Sequence, residues 1–241
     1  MLRYAELFKR AARIAALSFA LPAFAAAPPV LFQSTFDTST EGWSAFVSTT
    51  GNPTQAIQWV SNAGNPGGAI RTLSPSDNET SFFRGPTSLV NALHGAVGGN
   101  IAWDISTTRQ PADDFFSSNA DIQVRAGDDR IRRSLALSAP THPNYVTYKL
   151  DFSTTDQWSF FDGVNTTIAT QQQIDNVLTN ATSFIVRAEF WSSNTSDAGY
   201  LDNVILTAVP EPGEWALLLA GLGFVGCVAR ARRRLSRGPS H

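Results

Sequence analysis

The chain has 241 residues, 43% hydrophobic and 16% charged, with one cysteine and a formal net charge of −2. That total hides an uneven distribution: between residues 28 and 214 nine basic residues face nineteen acids, a net of about −10. No basic run offsets this acidity, which excludes a binder of phosphate backbones, and a lone Cys227 excludes a disulfide-stapled scaffold.

The first segment reads as an export leader. Arg3, Lys9, Arg10 and Arg13 form a basic region, Ile14–Phe24 is apolar, and Ala23-Phe24-Ala25 or Ala25-Ala26-Ala27 offers a small-residue cleavage site. An amphipathic helix would need polar residues recurring after Arg13, and Ser18 is almost the only one. Residues 1–27 are therefore predicted to be a signal peptide, with signal peptidase as partner. Residues 28–208 remain, enough for one domain with its own core. Without disulfides it must be stabilised by burial, or by burial together with a metal ion.

Within this body Gly, Ser, Thr, Asn and Asp interrupt short alternating runs every eight to twelve residues or so, which predicts a sandwich or barrel. The stretch 50–76 reads as loops around short strands at Ile57–Val60 and Ala69–Leu73. Ile101, Trp103 and Ile105 alternate with Ala102 and Asp104. In Ala120–Ala126, Ile122 and Val124 share one face, with Asp121, Gln123 and Arg125 on the other. Asp128-Asp129, flanked by Arg125, Arg130, Arg132 and Arg133, predicts a hairpin turn with surface ion pairs. Tyr145–Phe152 sets Val146, Tyr148, Leu150 and Phe152 against Thr147, Lys149 and Asp151. Thr170 with Gln173 three residues on makes a capping box, and Ile174, Val177 and Leu178 give the one expected short helix its apolar face. Phe184–Trp191, apolar on both faces except at Arg187 and Glu189, reads as a central strand, and Leu201–Leu206 as the last.

The final segment, 209–241, changes character. Val209-Pro210-Glu211-Pro212 cannot be helix interior or central strand, because two prolines remove donors and hold φ. An extended, exposed linker results, of the kind a processing enzyme can grip. Trp215 to Ala229 is free of charge, and Arg230, Arg232, Arg233, Arg234 and Arg237 close the chain. Fifteen helical residues span only about 22 Å against a hydrocarbon core of ~30 Å, so this is a weak, short transmembrane helix. Arginine snorkelling and Trp215 at the interface would supply part of the deficit. The arginines stay on the cytoplasmic side.

Taken in order and spacing, Pro210-Glu211-Pro212, the glycine-bearing apolar stretch and the arginine cluster resemble the PEP-CTERM sorting signal of Gram-negative bacteria. That resemblance implies an exosortase-type processing enzyme as partner, transient anchoring in the inner membrane, and delivery to the cell envelope or an exopolysaccharide matrix. A second resemblance covers residues 30–208. Phe36-Asp37, Gly42-Trp43, Phe82-Phe83-Arg84-Gly85-Pro86, Gly98 to Asp104, Tyr148/Leu150, Trp158, Leu178, Val186 to Glu189 and Leu201-Asp202-Asn203-Val204 follow one another as in the laminin B (laminin IV) domain. The fold so implied is all-β: a single β-sandwich, or jelly roll, related to carbohydrate-binding modules. The region 110–118, with Asp113-Asp114, departs from the pattern.

Jelly rolls of that kind carry structural Ca2+ between first and last strands, and the resemblance points to Asp37 and Asp202 as ligands, with Glu41 as a further candidate. The alternative is that Asp202-Asn203 caps a strand turn and Asp37 is solvated. Glycan binding would need exposed aromatics, for which Trp158, Phe160, Phe161 and Trp191 are candidates, while Trp43, Trp59 and Trp103 read as core. No Gly-x-Ser-x-Gly elbow or zinc spacing accompanies His94 and His142, and glutamates inside the domain are few. The expected function is that of a non-enzymatic structural or adhesive protein of the envelope or matrix. The alternative is a carbohydrate-binding module for exopolysaccharide, and behind it stands a glycan-active enzyme.

Overall fold

The computed structural model describes residues 27–47, 54–73, 80–108, 114–115, 120–135, 141–192, 198–209, 221–223 and 225. All but the last residue of the predicted leader, Pro210-Glu211-Pro212, and Arg230, Arg232, Arg233 and Arg234 lie outside them. Pro28–Val209 is one compact unit. Of the tail, Gly221–Gly223 and Val225 are helical. Among the described residues no helix is long and apolar enough to cross a membrane.

The strands in chain order are β1 (Val30–Ser34), β2 (Ser44–Val47), β3 (Thr54–Gln55), β4 (Ile57–Val60), β5 (Ala69–Leu73), β6 (Ser81–Arg84), β7 (Asn100–Thr107) and β8 (Asp114–Phe115). They continue as β9 (Ile122–Ala126), β10 (Asp129–Arg133), β11 (Val146–Asp151), β12 (Ser159–Phe161), β13 (Thr166–Ile168), β14 (Ser183–Arg187), β15 (Trp191–Ser192) and β16 (Ala198–Thr207). Helix α1 (Thr87–Leu93) and helix α2 (Gln171–Thr179) complete the set, with a 3-10 turn at Thr154–Asp156.

Two antiparallel sheets form the sandwich. The first runs β11-β7-β16-β5-β4 with β1 also on β16, and the second runs β13-β12-β10-β9-β14-β6-β2-β3; β8 and β15 make a separate pair. One core joins the inward faces: Ile101, Trp103, Ile105, Leu201, Val204 and Ile70 from the first sheet, and Phe83, Ile122, Val124, Ile131, Phe184 and Val186 from the second. Strand alternation places these residues, because every second side chain points to the same face.

Helix α2 begins as its sequence dictates. Thr170 Oγ1 accepts from the Gln173 N–H, Gln173 returns to the Thr170 backbone, and Ile174, Val177 and Leu178 are buried. Thr170→Ala is expected to cost about 1 kcal/mol, read as a lower urea midpoint at unchanged slope. Helix α1 was not expected. It starts after Pro86 with no side-chain cap, and only Leu89 and Leu93 are buried, so one turn of i, i+4 spacing was its entire signal. The expected strand over 184–191 stops at Arg187. Beyond it one backbone bond continues, from Ala188 N–H to the Ser81 carbonyl at 2.8 Å, and side-chain bonds add to it: Arg187 Nε donates to the Glu189 carbonyl and Glu189 Oε2 accepts from Ser81 N–H at 3.1 Å.

Candidate functional site: a carboxylate corner on the last strand

Strand β16 carries Asp202 directly opposite Asp104 of β7, and pairs Val204 with Ser34 at the end of β1. The antiparallel register thus brings Asp37, three residues beyond Ser34, to the same corner. Between Asp202 and Ile205 the register shifts by a β-bulge, with Asn203 at φ 48°. A bulge re-aims side chains: Leu201 and Val204 both reach the core, and the polar pair Asp202-Asn203 is left between them.

A glycine-rich loop closes over the corner. A Cβ on Gly68 would lie 2.1 Å from the Phe36 carbonyl, and one on Gly67 (φ +91°) would lie 2.5 Å from Asp37 Oδ1. Only residues without a side chain allow this approach. The loop delivers Asn65, whose N–H donates to Asp202 Oδ2 at 2.6 Å and whose Nδ2 donates to Asp104 Oδ2 at 3.1 Å. Asn203 N–H donates to Asp202 Oδ1 at 2.7 Å. Asn203 Nδ2 stands among three oxygens: the Asn65 carbonyl at 2.7 Å, Asp104 Oδ2 at 2.9 Å and Asp202 Oδ2 at 3.3 Å. Thr147 Oγ1 donates to Asp104 Oδ1.

Asp202 is fully buried and Asp104 nearly so, and among the described residues no basic side chain pairs with either. Burial pushes the Asp202 carboxyl up to about 6, helped by the charges of Asp104 and Asp37 and opposed by the Asn65 and Asn203 N–H groups. Two adjacent buried carboxylates held only by neutral donors are short of positive charge. The donor chemistry fits a hard, oxygen-ligated cation: two carboxylates, the Asn65 carbonyl, and the Asn203 amide, which presents oxygen instead of nitrogen after a half-turn. Among the described residues, however, no three His, Cys, Asp or Glu side chains form a ready-made metal site. Calcium here would lean on amide and carbonyl oxygens.

Of the predicted ligands, Asp202 lies at the centre. Asp37 is exposed at the rim, accepting from Thr35 Oγ1 at 2.9 Å. Glu41 is engaged elsewhere: its Oε1 accepts the Phe36 N–H at 2.7 Å and fastens a turn in which Phe36 itself has φ 52°. Asp104, Asn65 and Asn203 were missed. Asp104 carried one signal, an acid inside a strongly apolar strand, but alternation assigned it to a face that would ordinarily be wet.

Two of the aromatic predictions, Trp158 and Trp59, need correction. Trp158 is fully buried, stacked on Phe152 at 5.6 Å and donating Nε1–H to the Asp151 carbonyl at 2.9 Å, so it presents no face to a sugar. Trp59, expected in the core, is 38% exposed. Trp191 pairs with Phe115 through the β15–β8 backbone. Phe160 packs partly buried against the core.

Ser106 Oγ lies 3.2 Å from His142 Nδ1, a contact resembling a nucleophile and its base. Ser106 is fully buried, and His142 is stacked flat on Tyr200 at 4.1 Å. A substrate has no access to that hydroxyl, so the pair is structural.

Residues 208–234 match the PEP-CTERM protein-sorting motif. No curated protein matches the chain. Among solved structures, the L4b domain of human laminin alpha-2 is similar at 12% identity and TM-score 0.50, over 74% of this chain and 98% of that one. The family 11 carbohydrate-binding module of a Clostridium thermocellum cellulosomal cellulase follows at 12% identity and TM-score 0.47, over 77% and 98%. The CBM22-1 xylan-binding domain of Paenibacillus barcinonensis Xyn10C has 13% identity and TM-score 0.43, over 76% and 97%. Similarity at these identities concerns the fold alone. The chain carries a PEP-CTERM sorting motif beside a β-sandwich similar to a laminin L4b domain, and that motif marks it as an exported protein sorted through the membrane.

Proposed function

We propose that the chain is a non-enzymatic structural or adhesive protein of the bacterial cell envelope or extracellular matrix. In this reading residues 1–27 are removed by signal peptidase, and residues 28–208 are the delivered domain. Residues 209–241 hold the chain briefly in the inner membrane through a short helix and its arginines, until an exosortase-type enzyme acts near Pro210-Glu211-Pro212. One observation carries it: the sorting motif begins at residue 208, one residue after the last core strand ends at Thr207. An enzyme can therefore take the tail in extended form without unfolding the sandwich. The Asp104/Asp202 corner is assigned to structural calcium, tying the last strand to the loop before β5.

Cell fractionation with mass measurement tests the reading. The full chain is expected to pass through the membrane fraction and to yield an envelope or medium product lacking both ends. A chain ending at Ala208 is expected to skip the membrane stage. Recovery of a cytosolic product that keeps the arginine tail would overturn it. The second reading, an exopolysaccharide-binding module, is favoured by the outer face of the second sheet.

A further inference from the structure

We propose that this outer face is a binding site for an acidic polysaccharide, its guanidinium groups taking the carboxylates of uronate-type sugars. The inference rests on the exported, adhesive reading and names the ligand class.

Register builds the site from residues scattered in sequence. Arg130 of β10 lies opposite Arg125 of β9 and Phe161 of β12. In the next outward row Arg132 lies opposite Gln123, Gln123 opposite Ile185 of β14, and Ile185 opposite Arg84 of β6. The alternate residues Val124, Ile131, Phe184 and Phe83 fill the core, so these arginines share the outward face. From β10 to β6 is three inter-strand steps, about 14 Å, room for several sugar rings rather than a single ion. Arg84, Arg125, Arg130 and Arg132 come from three different strands, and the sheet assembles them into a basic stripe.

Solubility alone would intersperse charges of both signs, and acids outnumber bases about two to one in this body. Among the described residues no carboxylate pairs with Arg84, Arg125, Arg130 or Arg132. Their charges act on one another: burial and then Arg84 lower the Arg125 pKa, and burial and then Arg125 and Arg132 lower that of Arg130. The guanidinium groups are propped on aromatic rings, with Arg130 4.0 Å and Arg132 5.6 Å from the Phe161 centroid and Arg84 4.6 Å from that of Phe46. Arg132 donates to Thr166 Oγ1 at 2.7 Å. Of the seven side-chain polar atoms buried with no hydrogen-bond partner among the described residues, Arg125 Nε, Arg130 Nε and Gln123 Oε1 belong to this face. Gln123 itself is only 9% exposed.

The bland account is that arginine stems merely cover Ile185, which is 3% exposed. It leaves the clustering of like charge unexplained. An acidic sugar chain meets that need, because its carboxylates match the planar fork of arginine. Duplex nucleic acid fits less well, because its dense phosphates would also meet a body of about −10.

The full chain, purified in mild detergent, is tested for binding to polygalacturonate, neutral xylan and duplex DNA. Polygalacturonate is expected to bind, more weakly at high salt, and Arg84→Ala with Arg132→Ala to weaken it by about tenfold or more. Lys149→Ala, which removes the same charge on the first sheet, is expected to change nothing. Arg84→Lys with Arg132→Lys keeps charge and stem, and is expected to lose part of the affinity even if the alanine pair proves unstable. No binding to polygalacturonate, binding indifferent to both arginine pairs, or stronger binding of DNA through the same arginines would each overturn the inference. Binding of xylan alone would overturn it and leave the adhesive reading standing; mislocalisation in the fractionation above would remove that reading independently.

Discussion

Millimolar calcium is expected to raise the melting temperature at pH 7.5 by about 5–10 °C, if it saturates the corner about a hundredfold above its dissociation constant, and to change it little at pH 5. The reason is the Asp202 carboxyl, whose folded value is about 6 against an ordinary 3.8. In the folded chain it holds its proton more tightly than in the unfolded chain. Without a cation its contribution is fully present below the unfolded value and is lost as pH rises through the folded one, an effect of about 3 kcal/mol. Above pH 6 the corner carries charge that burial penalises, and calcium supplies the missing counter-charge. At pH 5 the proton already does so and competes with the metal. Asp202→Asn carries no charge to relieve, so both the calcium response and this group's pH dependence are expected to vanish. Calorimetry with calcium and with a chelator, at both pH values, reads all four combinations. A calcium shift that survives in Asp202→Asn would place the metal elsewhere.

Replacing Arg187 is expected to be the most damaging single change in the body. Arg187→Met should cost about 3–5 kcal/mol, a fall of roughly 10–15 °C in melting temperature for a domain of this size. Arg187 Nη1 lies 3.4 Å from Asp121 Oδ1, the two side chains being 1% and 6% exposed. The guanidinium carbon also sits 5.0 Å from the Phe190 ring centroid. Asp121 accepts in addition from the Leu135 N–H at 2.5 Å. Burial pushes the Asp121 carboxyl up, while Leu135 and Arg187 draw it down. Removing the arginine alone strands that charge. Adding Asp121→Asn to Arg187→Met is expected to recover part of the loss, because the remaining cost is then packing rather than an uncompensated ion. Thermal unfolding of the two single variants and the double variant measures the coupling. Strict additivity would show that the pair contributes nothing as a pair.

The same Asp121 shows where reading by alternation fails. Ile122 and Val124 were correctly placed inward, and Asp121 and Gln123 on the opposite face. That face, however, is not simply solvent: Asp121 and Gln123 are both buried. A period of two tells which side a residue faces, and says nothing about what covers that side. Trp158 fails in the complementary way. It follows a 3-10 turn, where no periodicity exists to assign it a face, and it fills the core beside Phe152.

What the sequence determined by itself is local or terminal. The sorting motif, the capping box of α2, the alternation of β7, β9 and β11, and the sandwich class each depend on neighbours a few residues apart. Only the tertiary structure decided the two sites. Asp202 meets Asp104 and Asn65 across 98 and 137 residues, and Arg84 reaches the stripe of β9 and β10 through β14. Strand order and register create those proximities, and a one-residue bulge at Asp202-Asn203 aims the residues that use them. Pairing partners are chosen by the burial of the whole core rather than by the residues that end up adjacent. No window along the chain contains that information.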